Sequence, residues 1–359
     1  MKQMTCDKLM LHLLHKKISN IEKTYSLIRK LSCIDGSNVD ASVLDRVMYN
    51  AETLPPLGKE YWWFLFSSPH GEKPMQFVLL IFRKHGRKVR FNDKAMVLRD
   101  LKENTFQAAT AGWIYDGDKL SDLGDTNAAT EVDSQRKTIV SAISGRKMAL
   151  KGSFPNYRLN VDNIIDVDIG ELNGIAHKDA HGIFIPPFGV GWVDIFLEAE
   201  GSVLGKRFKG IAHLQKVVGV TTFGSFHWGR IVFQKGFSIS FFCLKAGRDS
   251  KRYFRSYLKF QDSKNSMIIE FDDPKLQIQK NSDGKQWIVE GYDDDKNVRI
   301  VLESYAKKCY TIKGGGSQVY IHYAVVTEEF HLKTESEVIS LDDLGRGVGT
   351  FEDAYGSPI

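Results

Sequence analysis

Residues 187–245 read PFGVGWVDIFLEAEGSVLGKRFKGIAHLQKVVGVTTFGSFHWGRIVFQKGFSISFFCLK and predict an antiparallel sheet. The stretch contains four runs rich in aromatic and β-branched residues, which we interpret as strands over 192–199, 207–218, 227–234 and 237–244. Glycine stands at each joint between them. Such runs, separated by short glycine-containing turns, are typical of consecutive β-hairpins. The stretch therefore predicts a β-meander, and it indicates an all-β fold rather than an α/β one.

Side-chain alternation gives these strands chemically different faces, because successive residues of a strand point to opposite sides of the sheet. In the third run, His227 and Arg230 lie on opposite faces, so they cannot enter the same cavity. In the second run, His213 and Gln215 share one face, and small or aliphatic residues occupy the other. The polar residues of this stretch are thus divided between two surfaces.

Length and composition limit the class of protein. A chain of 359 residues is long enough for two hydrophobic cores, since single cores stop growing at about 250 to 300 residues. Hydrophobic residues make up 42% of the chain and charged residues 26%, which is ordinary for a soluble globular protein. The net charge of +5 is small for this length and indicates no polyanionic partner.

The cysteines and apolar runs argue against several other classes. Cys6, Cys33, Cys243 and Cys309 are far apart and form no Cys-x-x-Cys pair, so zinc-knuckle and thioredoxin-like motifs are excluded and we expect a cytoplasmic protein. The longest apolar run, 77–82, is far shorter than the roughly 20 residues of a membrane-spanning helix. The sequence also lacks the motifs of serine hydrolases, P-loop NTPases, dinucleotide-binding enzymes and zinc proteases.

The first 33 residues predict an amphipathic helix, because apolar residues recur there every three or four positions. Its lysine-rich face permits two interpretations. The helix contacts an anionic membrane as a peripheral anchor, or its apolar face packs on the body of the protein, which we favour because any solvated helix face shows such lysines. A second helix is predicted over 41–51, with Asp40 as its N-cap.

A basic cluster surrounds a hairpin that we predict from strands over 76–84 and 87–91. Its members are Arg83, Lys84, Arg87, Lys88 and Arg90. Nucleic-acid binding uses such patches for phosphate contacts, yet no recognisable nucleic-acid-binding module accompanies this one. We therefore interpret it as a solvated hairpin tip and expect no nucleic-acid partner.

His177, Asp179 and His181 have the spacing of a metal site, since all three would project to one side of an extended strand. Histidine and carboxylate ligands suit zinc. Gly174 and Gly182, however, flank the cluster and indicate a loop. We favour the loop and expect no metal and no cofactor.

Short motifs spread along the chain carry a resemblance to a known family. The first β stretch opens with Glu-Tyr-Trp-Trp at 60–63, residues 208–215 read Phe-Lys-Gly-Ile-Ala-His-Leu-Gln, and Phe-His-Trp-Gly follows at 226–229. A glycine-rich run at 347–356 contains Glu352 as its acidic residue. Together, over 58–356, they resemble the carotenoid 1,2-hydratase (hydroxyneurosporene synthase) and lipocalin-like attachment-protein family.

The resemblance implies two lipocalin-like (calycin) β-barrels in tandem, with an apolar ligand, often an isoprenoid, held within or between them. We accordingly expect a helical extension over 1–57, a first barrel over 58–186 and a second barrel over 187–359. His213 stands where the family has tryptophan, and Gln215 stands where it has aspartate. An amide has no labile proton, so Gln215 cannot act as the acid if that aspartate protonates an alkene.

Ligand binding is the leading functional hypothesis, because the many aromatic residues suit an apolar pocket with a few orienting polar groups. The pocket would take an isoprenoid, a lipid or a polyketide-like molecule. The residues expected to line it are Trp192, Gln215, Trp228, Arg230, Tyr323 and Tyr355.

The alternative is a cofactor-free hydratase, isomerase or cyclase acting on such a molecule. Protonation of a double bond needs an acid whose pKa is raised in a dry pocket, and aromatic faces stabilise the resulting cation. The candidate acids and bases are Asp194, His213, His227 and Glu352. Each of these residues also has a structural interpretation, as an ion-pair partner, a solvent-facing carboxylate or a core histidine. A third class of function is also open, namely an interaction protein whose N-terminal helix binds a partner.

Overall fold

The computed structural model describes residues 22–34, 36–70, 73–86, 88–102, 104–171, 176–222, 224–245, 247, 253–262, 267–271 and 275–357. The described chain is almost entirely antiparallel β structure, which confirms the predicted fold class. Its helices are α1 (22–31), α2 (Ala41–Met48) and α3 (Leu341–Leu344), with a 3-10 turn at Gly36–Asn38. None of the helices in this part of the chain is long and apolar enough to cross a membrane.

The strands of the first part of the chain are β1 (Gly58–Ser68), β2 (Met75–Lys84), β3 (Lys88–Phe91), β4 (Lys94–Val97), β5 (Asp100–Lys102), β6 (Thr105–Tyr115), β7 (Leu120–Asp133), β8 (Thr138–Ile143), β9 (Arg146–Ser153), β10 (Asn156–Val161), β11 (Ile165–Gly170), β12 (Ala176–Ile185), β13 (Phe188–Val203) and β14 (Lys206–Val220). The second part contains β15 (Phe226–Phe233), β16 (Phe237–Lys245), β17 (Tyr253–Asp262), β18 (Ile268–Phe271), β19 (Lys275–Lys280), β20 (Gln286–Tyr292), β21 (Asn297–Lys313), β22 (Ser317–Lys333), β23 (Val338–Ser340) and β24 (Gly347–Ser357).

The first sheet is a closed barrel. Its strands follow the order β11-β10-β9-β8-β7-β6-β2-β1-β14-β13, and β13 pairs back with β11, which completes a ring of ten strands. Along its first half, β13 pairs with β12 instead. The interior is filled by aromatic and aliphatic side chains, among them Trp62, Phe64 and Phe77, all fully buried.

The second sheet follows the order β18-β17-β16-β15-β24-β22-β21-β20-β19 and curls around a core of its own. Phe241, Trp287 and Phe351 lie in that core, with the rings of Trp287 and Phe351 4.4 Å apart. A third apolar cluster, which includes Trp63 and Trp228, lies between the two sheets. The protein thus has two separate cores joined by an interface that is itself apolar.

The predicted meander is divided between the two sheets. The hairpin β13–β14 belongs to the barrel and the hairpin β15–β16 to the second sheet, so the chain changes sheet between Val220 and Phe226. The strands β13 and β14, which follow the expected boundary at residue 187, thus lie in the barrel. The physical reason is that β14 pairs along its other edge with β1, which ties both strands to the barrel.

The hairpin predicted from strands over 76–84 and 87–91 is wrong, because these two strands do not pair with each other. β2 pairs with β1 and β6, whereas β3 forms a hairpin with β4 and adds to β21 of the second sheet. Asn92 secures this addition, because its backbone N–H donates to the Thr311 carbonyl and its side-chain oxygen accepts from the Thr311 N–H at 2.7 Å. Arg83 is buried rather than solvated, and Arg87 lies outside the described residues.

Helix α1 packs on the barrel wall. Ile28 and Leu31 are fully buried there, over Gly189 and Gly191 of β13. A Cβ atom at Gly191 would lie 2.8 Å from a Leu31 methyl group, so the helix can approach this closely only because the strand carries glycine. This agrees with the favoured interpretation of the helix for 22–31, while the rest of the predicted helix lies outside the described residues. The second helix begins as predicted, since the Asp40 carboxylate accepts from the Ser42 N–H at 2.7 Å.

Strand β1 is buried on both faces. Trp62, Phe64 and Phe66 point into the barrel core, whereas Tyr61, Trp63 and Leu65 belong to the cluster between the sheets. Its two edges are paired with β2 and β14. The run of aromatic residues in the sequence thus supplies two cores at once.

A buried ion cluster closes one end of the barrel below these aromatic residues. Glu60 accepts a hydrogen bond from Arg83 Nε at 2.6 Å and lies 3.0 Å from Lys216 Nζ, while Lys216 sits 4.4 Å from the Trp62 ring. Burial alone would raise the pKa of Glu60, but the charges of Arg83 and Lys216 outweigh it and hold that pKa below its ordinary value. Glu60 is therefore an ionised carboxylate that both cations contact.

Replacing Glu60→Gln should destabilise the protein by about 3 to 5 kcal/mol, because buried Lys216 loses its carboxylate partner and buried Arg83 keeps only its ion pair with the exposed Asp100. Since the folded pKa of Glu60 lies below its ordinary value, its stabilising contribution is present above about pH 4.5 and is lost as the pH falls through the folded pKa. Urea unfolding at pH 7 and pH 4 measures both effects. The matched control is Asp118→Asn, whose ion pair with Lys73 is exposed and should be worth less than about 1 kcal/mol; equal losses in the two variants would contradict this account.

Candidate functional site

A cavity of about 570 Å³ lies between the barrel and the second sheet, and we call it the intersheet cavity. Strands β1, β13 and β14 form one wall, and β15, β22 and β24 form the other. Its walls are mainly aromatic, from Tyr61, Trp63, Trp192, Phe226, Trp228 and Phe242. Ile185 also lines it and is 69% exposed, so the cavity opens to solvent beside the turn between β12 and β13.

The strand register orders the cavity from its mouth to its deep end. Nearest the turn, Lys59 of β1 pairs with Gly219, which pairs in turn with Val190. Four residues further along β1, Trp63 pairs with Gln215 at the deep end. Lys59 therefore stands near the mouth and Gln215 well inside.

The residues of the second sheet can be placed between the mouth and the deep end in the same way. The Tyr61 hydroxyl lies 3.5 Å from the side-chain oxygen of Gln318, whereas the Trp63 ring stacks on Tyr320 at 5.2 Å. Gln318 is thus on the mouth side of Tyr320, and Glu352 pairs across the strands with His322, two residues deeper. Both walls carry their polar groups at the two ends of an apolar channel.

Glu352 is the principal polar group of the deep end. Its carboxylate accepts a short hydrogen bond from the Tyr320 hydroxyl, and its second oxygen lies 3.1 Å from Nε2 of the fully buried His322. The Trp63 ring stacks on His322 at 5.7 Å and covers the pair. Burial, reinforced by the negative charge of Glu352, raises the pKa of Tyr320 well above its ordinary value, so its hydroxyl keeps its proton and acts as the donor.

A second polar cluster stands beside the cavity. Asp194 accepts hydrogen bonds from His213 Nε2 at 2.7 Å and from the Gln215 side-chain amide at 2.8 Å. Burial opposes ionisation of Asp194, yet its contacts with His213 and Gln215 lower its pKa below the ordinary value. Burial also lowers the pKa of His213, against the opposing effect of Asp194. The arrangement fixes the amide of Gln215, the member of the cluster that lines the cavity.

Arg230 lies behind the aromatic wall. Its guanidinium carbon is 3.2 Å from the centre of the Phe196 ring, and its Nη2 is 3.4 Å from the Ser238 hydroxyl. Burial lowers its pKa to about 10, so it remains charged at neutral pH. With His213 and Trp228 it borders a chamber of only about 20 Å³, too small for more than a water molecule.

The predicted metal cluster lies on strand β12, and the expectation of a loop there is wrong. Asp179 forms a buried ion pair with Lys259 of the second sheet at 2.9 Å. His181 stacks on Tyr257 at 5.0 Å. Within the described ranges, no group of three or more histidine, cysteine, aspartate or glutamate side chains is placed to hold a metal ion. These residues join the barrel to the second sheet.

The structure brings most of the predicted site residues together. Four line the intersheet cavity, namely Trp192, Gln215, Trp228 and Glu352. Asp194, His213 and Arg230 lie directly beside it.

The remaining three predicted residues, His227, Tyr323 and Tyr355, face away from the cavity. The His227 ring packs against Phe351 at 5.4 Å, and Tyr323 lies in the second core. Tyr355 lies on the opposite face of β24 from Glu352, because the two residues are three positions apart and side chains alternate along a strand. Strand alternation therefore removes all three from the cavity.

Sequence reasoning missed Lys59, Gln318, Tyr320 and His322 as members of the cavity or its deep end. A signal existed for three of them, since Gln318, Tyr320 and His322 share one face of a cleanly alternating strand. Nothing in that alternation shows that the face meets a second sheet. Lys59 lies just before the aromatic motif of β1, and a lysine at such a position gives no sign of burial.

Neither a family model nor a curated protein matches the chain. Similar solved structures do exist. CghA, in structures with and without Sch210972, is 11% identical to this chain, and the match covers 91% of this chain and 96% of that one with TM-scores of 0.53 and 0.54. Kievitone hydratase from Nectria haematococca is 11% identical over 83% of this chain and 89% of its own, with a TM-score of 0.44. The match to CghA shows a shared overall fold.

His227 predicts a measurable pH dependence. Burial, followed by the charge of Lys245, lowers its folded pKa to about 4 from an ordinary value of 6.5. The unfolded chain therefore takes up a proton first as the pH falls, and stability declines below about pH 6.5. The expected loss from His227 between pH 7 and pH 5 is about 2 kcal/mol.

Urea unfolding of the wild type and of His227→Gln at both pH values measures this loss. The variant should lose less stability on acidification by that amount. His331→Gln is the matched control, because solvent reaches the His331 ring in the folded protein. An identical acid response in wild type and His227→Gln would show that burial does not govern this group.

Proposed function

We propose that this protein binds an apolar small molecule in the intersheet cavity. The observation that carries the proposal is an aromatic-walled cavity of about 570 Å³ with an opening to solvent and few polar groups. Small-molecule sites are typically about 300 to 1,000 Å³, mostly apolar, with a small number of polar groups that orient the ligand. The shared fold of CghA, whose structure was determined with Sch210972, supports the same conclusion.

The predicted classes of ligand fit this geometry. An isoprenoid, lipid or polyketide-like chain would lie along the channel, with its apolar surface against Trp192, Trp228 and Phe242. The wall is rigid, because these aromatic residues stand on paired strands rather than on loops. Little reorganisation is then needed on binding, which favours affinity.

Filling the channel should abolish binding. Val217 lines the cavity between its two ends, so Val217→Trp should weaken the binding of Nile red, a neutral apolar fluorophore, at least tenfold in a fluorescence titration. Trp228→Ala, which removes an aromatic wall, should weaken it as well. The control is Val97→Trp, placed on β4 where the side chain is exposed, and it should bind as the wild type does. Unchanged affinity in a folded Val217→Trp protein would exclude the channel as the binding site.

A second candidate function is acid–base chemistry on the bound molecule. The observation that favours it is the contact of Glu352 with Tyr320 on the wall of an otherwise apolar cavity. The Glu352 carboxylate can take a proton from one ligand atom and return it to another, while the hydrogen bond from the Tyr320 hydroxyl holds the carboxylate in place. Nε2 of His322 lies 3.1 Å from the other oxygen of the same carboxylate. Proton transfer between two atoms of an unsaturated ligand is the chemistry of isomerisation, and with a water molecule it becomes hydration.

The resemblance to the carotenoid hydratase family does not extend to its aspartate. Gln215 occupies that position, and the nearest carboxylate is Asp194 on the neighbouring strand. Asp194 accepts from both His213 and Gln215, and its lowered pKa makes it a poor proton donor. Glu352 is therefore the better candidate for the reacting carboxyl group.

Replacement of Glu352→Gln should block such chemistry while leaving the cavity in place. We expect organic extracts of the purified wild type and the variant, analysed by mass spectrometry, to contain different molecules: the variant should retain unreacted ligand. The two species would be isomers, separable by chromatography, or differ by the mass of water. Glu329→Gln, an exposed carboxylate, is the control. The same bound molecule in all three proteins would leave binding as the function and remove Glu352 as an acid–base residue.

A further inference from the structure

Lys59 is a buried cation on the wall of the intersheet cavity. It stands on β1 near the mouth, is 6% exposed, and lines the cavity together with Val190. Its aliphatic stem crosses Gly219, where a Cβ atom would lie 3.8 Å from Cγ and Cε of the lysine. The pairing of β1 with β14 fixes its backbone at this level.

Two further lysines stand near Lys59 at the mouth of the cavity. Lys84, its cross-strand neighbour on β2, adds a second positive charge. Lys245 of β16 also lines the cavity, and its charge is shared with Asp353 at 2.6 Å. Among the described residues that line the cavity, Glu352 supplies the carboxylate, and it lies at the opposite, deep end.

The electrostatic environment disfavours the protonated form of Lys59. Burial, followed by the charge of Lys84, lowers its pKa to about 8. A negative charge placed beside the ammonium would reverse this effect, since opposite charges at close range stabilise each other. A ligand with an acidic group at the mouth would therefore gain more from this lysine than from one exposed to water.

From this geometry we infer that the ligand is an amphipathic acid, whose carboxylate pairs with Lys59 at the mouth while its apolar body extends toward Glu352. The inference rests on the proposed binding function and adds the chemical class and direction of the ligand. Four residues of β1 separate Lys59 from the level of Trp63, or roughly 13 Å at about 3.3 Å per residue. The acid group and the part of the ligand beside Glu352 are separated by about that distance.

The experiment compares cis-parinaric acid, a fluorescent polyene acid, with its methyl ester. The two probes share an apolar body and differ only in the charge of the head group. At pH 7 the wild type should bind the acid about tenfold more tightly than the ester. Lys59→Met should bind both equally, whereas Lys59→Arg should keep the preference because arginine retains the charge. Lys94→Met, an exposed lysine on β4, is the matched control and should behave as the wild type does.

The pH dependence gives a readout that a merely structural role of Lys59 would not produce. In the wild type, the preference for the acid should fall between pH 7 and pH 10 as Lys59 loses its proton, while Lys59→Arg should retain it. The probe carboxylate stays ionised over this range, and the arginine variant separates Lys59 from Lys84 and Lys245, which are the same in both proteins.

The outcomes separate this inference from the proposed function. Equal binding of acid and ester by the wild type, or an undiminished preference in Lys59→Met, would overturn the acid ligand and leave the apolar site standing. Failure of both probes and of Nile red to bind would remove the proposed function together with the inference.

Discussion

The burial of both faces of β1 is the constraint on which the rest of the structure depends. A strand that is hydrogen-bonded along both edges and covered on both faces can serve two cores only if its residues alternate between them. Trp62 therefore fills the barrel, and its neighbour Trp63 necessarily faces the second sheet. The intersheet cavity lies where this outer face meets the second sheet. Lys59, Tyr61 and Trp63 reach one channel for the same geometric reason.

Local alternation could be read from the sequence, and it located much of the site. The opposite placement of His227 and Arg230 is confirmed, and Trp192, Trp228 and Glu352 do line one cavity. The sequence did not show that β14 and β15 belong to different sheets. Residues 221–225, which connect these two strands, have the glycine-containing composition of a hairpin turn. Likewise, the charge of Arg83 gave no sign of its burial, which depends on Glu60 of the neighbouring strand. Pairing between distant strands is a property of the assembled fold.

The polar groups of the cavity are positioned by strand register rather than by loops. Tyr320 and His322 stand two residues apart on β22, and Glu352 pairs directly across from His322. At the other end, Lys59 is held by the pairing of β1 with β14 and β2. The distance between a charge at the mouth and a carboxylate at the deep end is thus built into the sheets. The proposed ligand would be selected by its length as well as by its polarity.

The hairpin β3–β4 is synthesised long before the strand of the second sheet with which it pairs. Its partner strand β21 is made much later, since Asn92 and Thr311 are 219 residues apart. At a ribosomal rate of about 5 to 20 residues per second, the hairpin waits roughly 10 to 45 s for that partner. The strands of the barrel are complete at Val220, so the barrel can close during this interval while β3 presents an unpaired edge. An unpaired strand edge is a site of aggregation, and β3 keeps one until β21 has been synthesised.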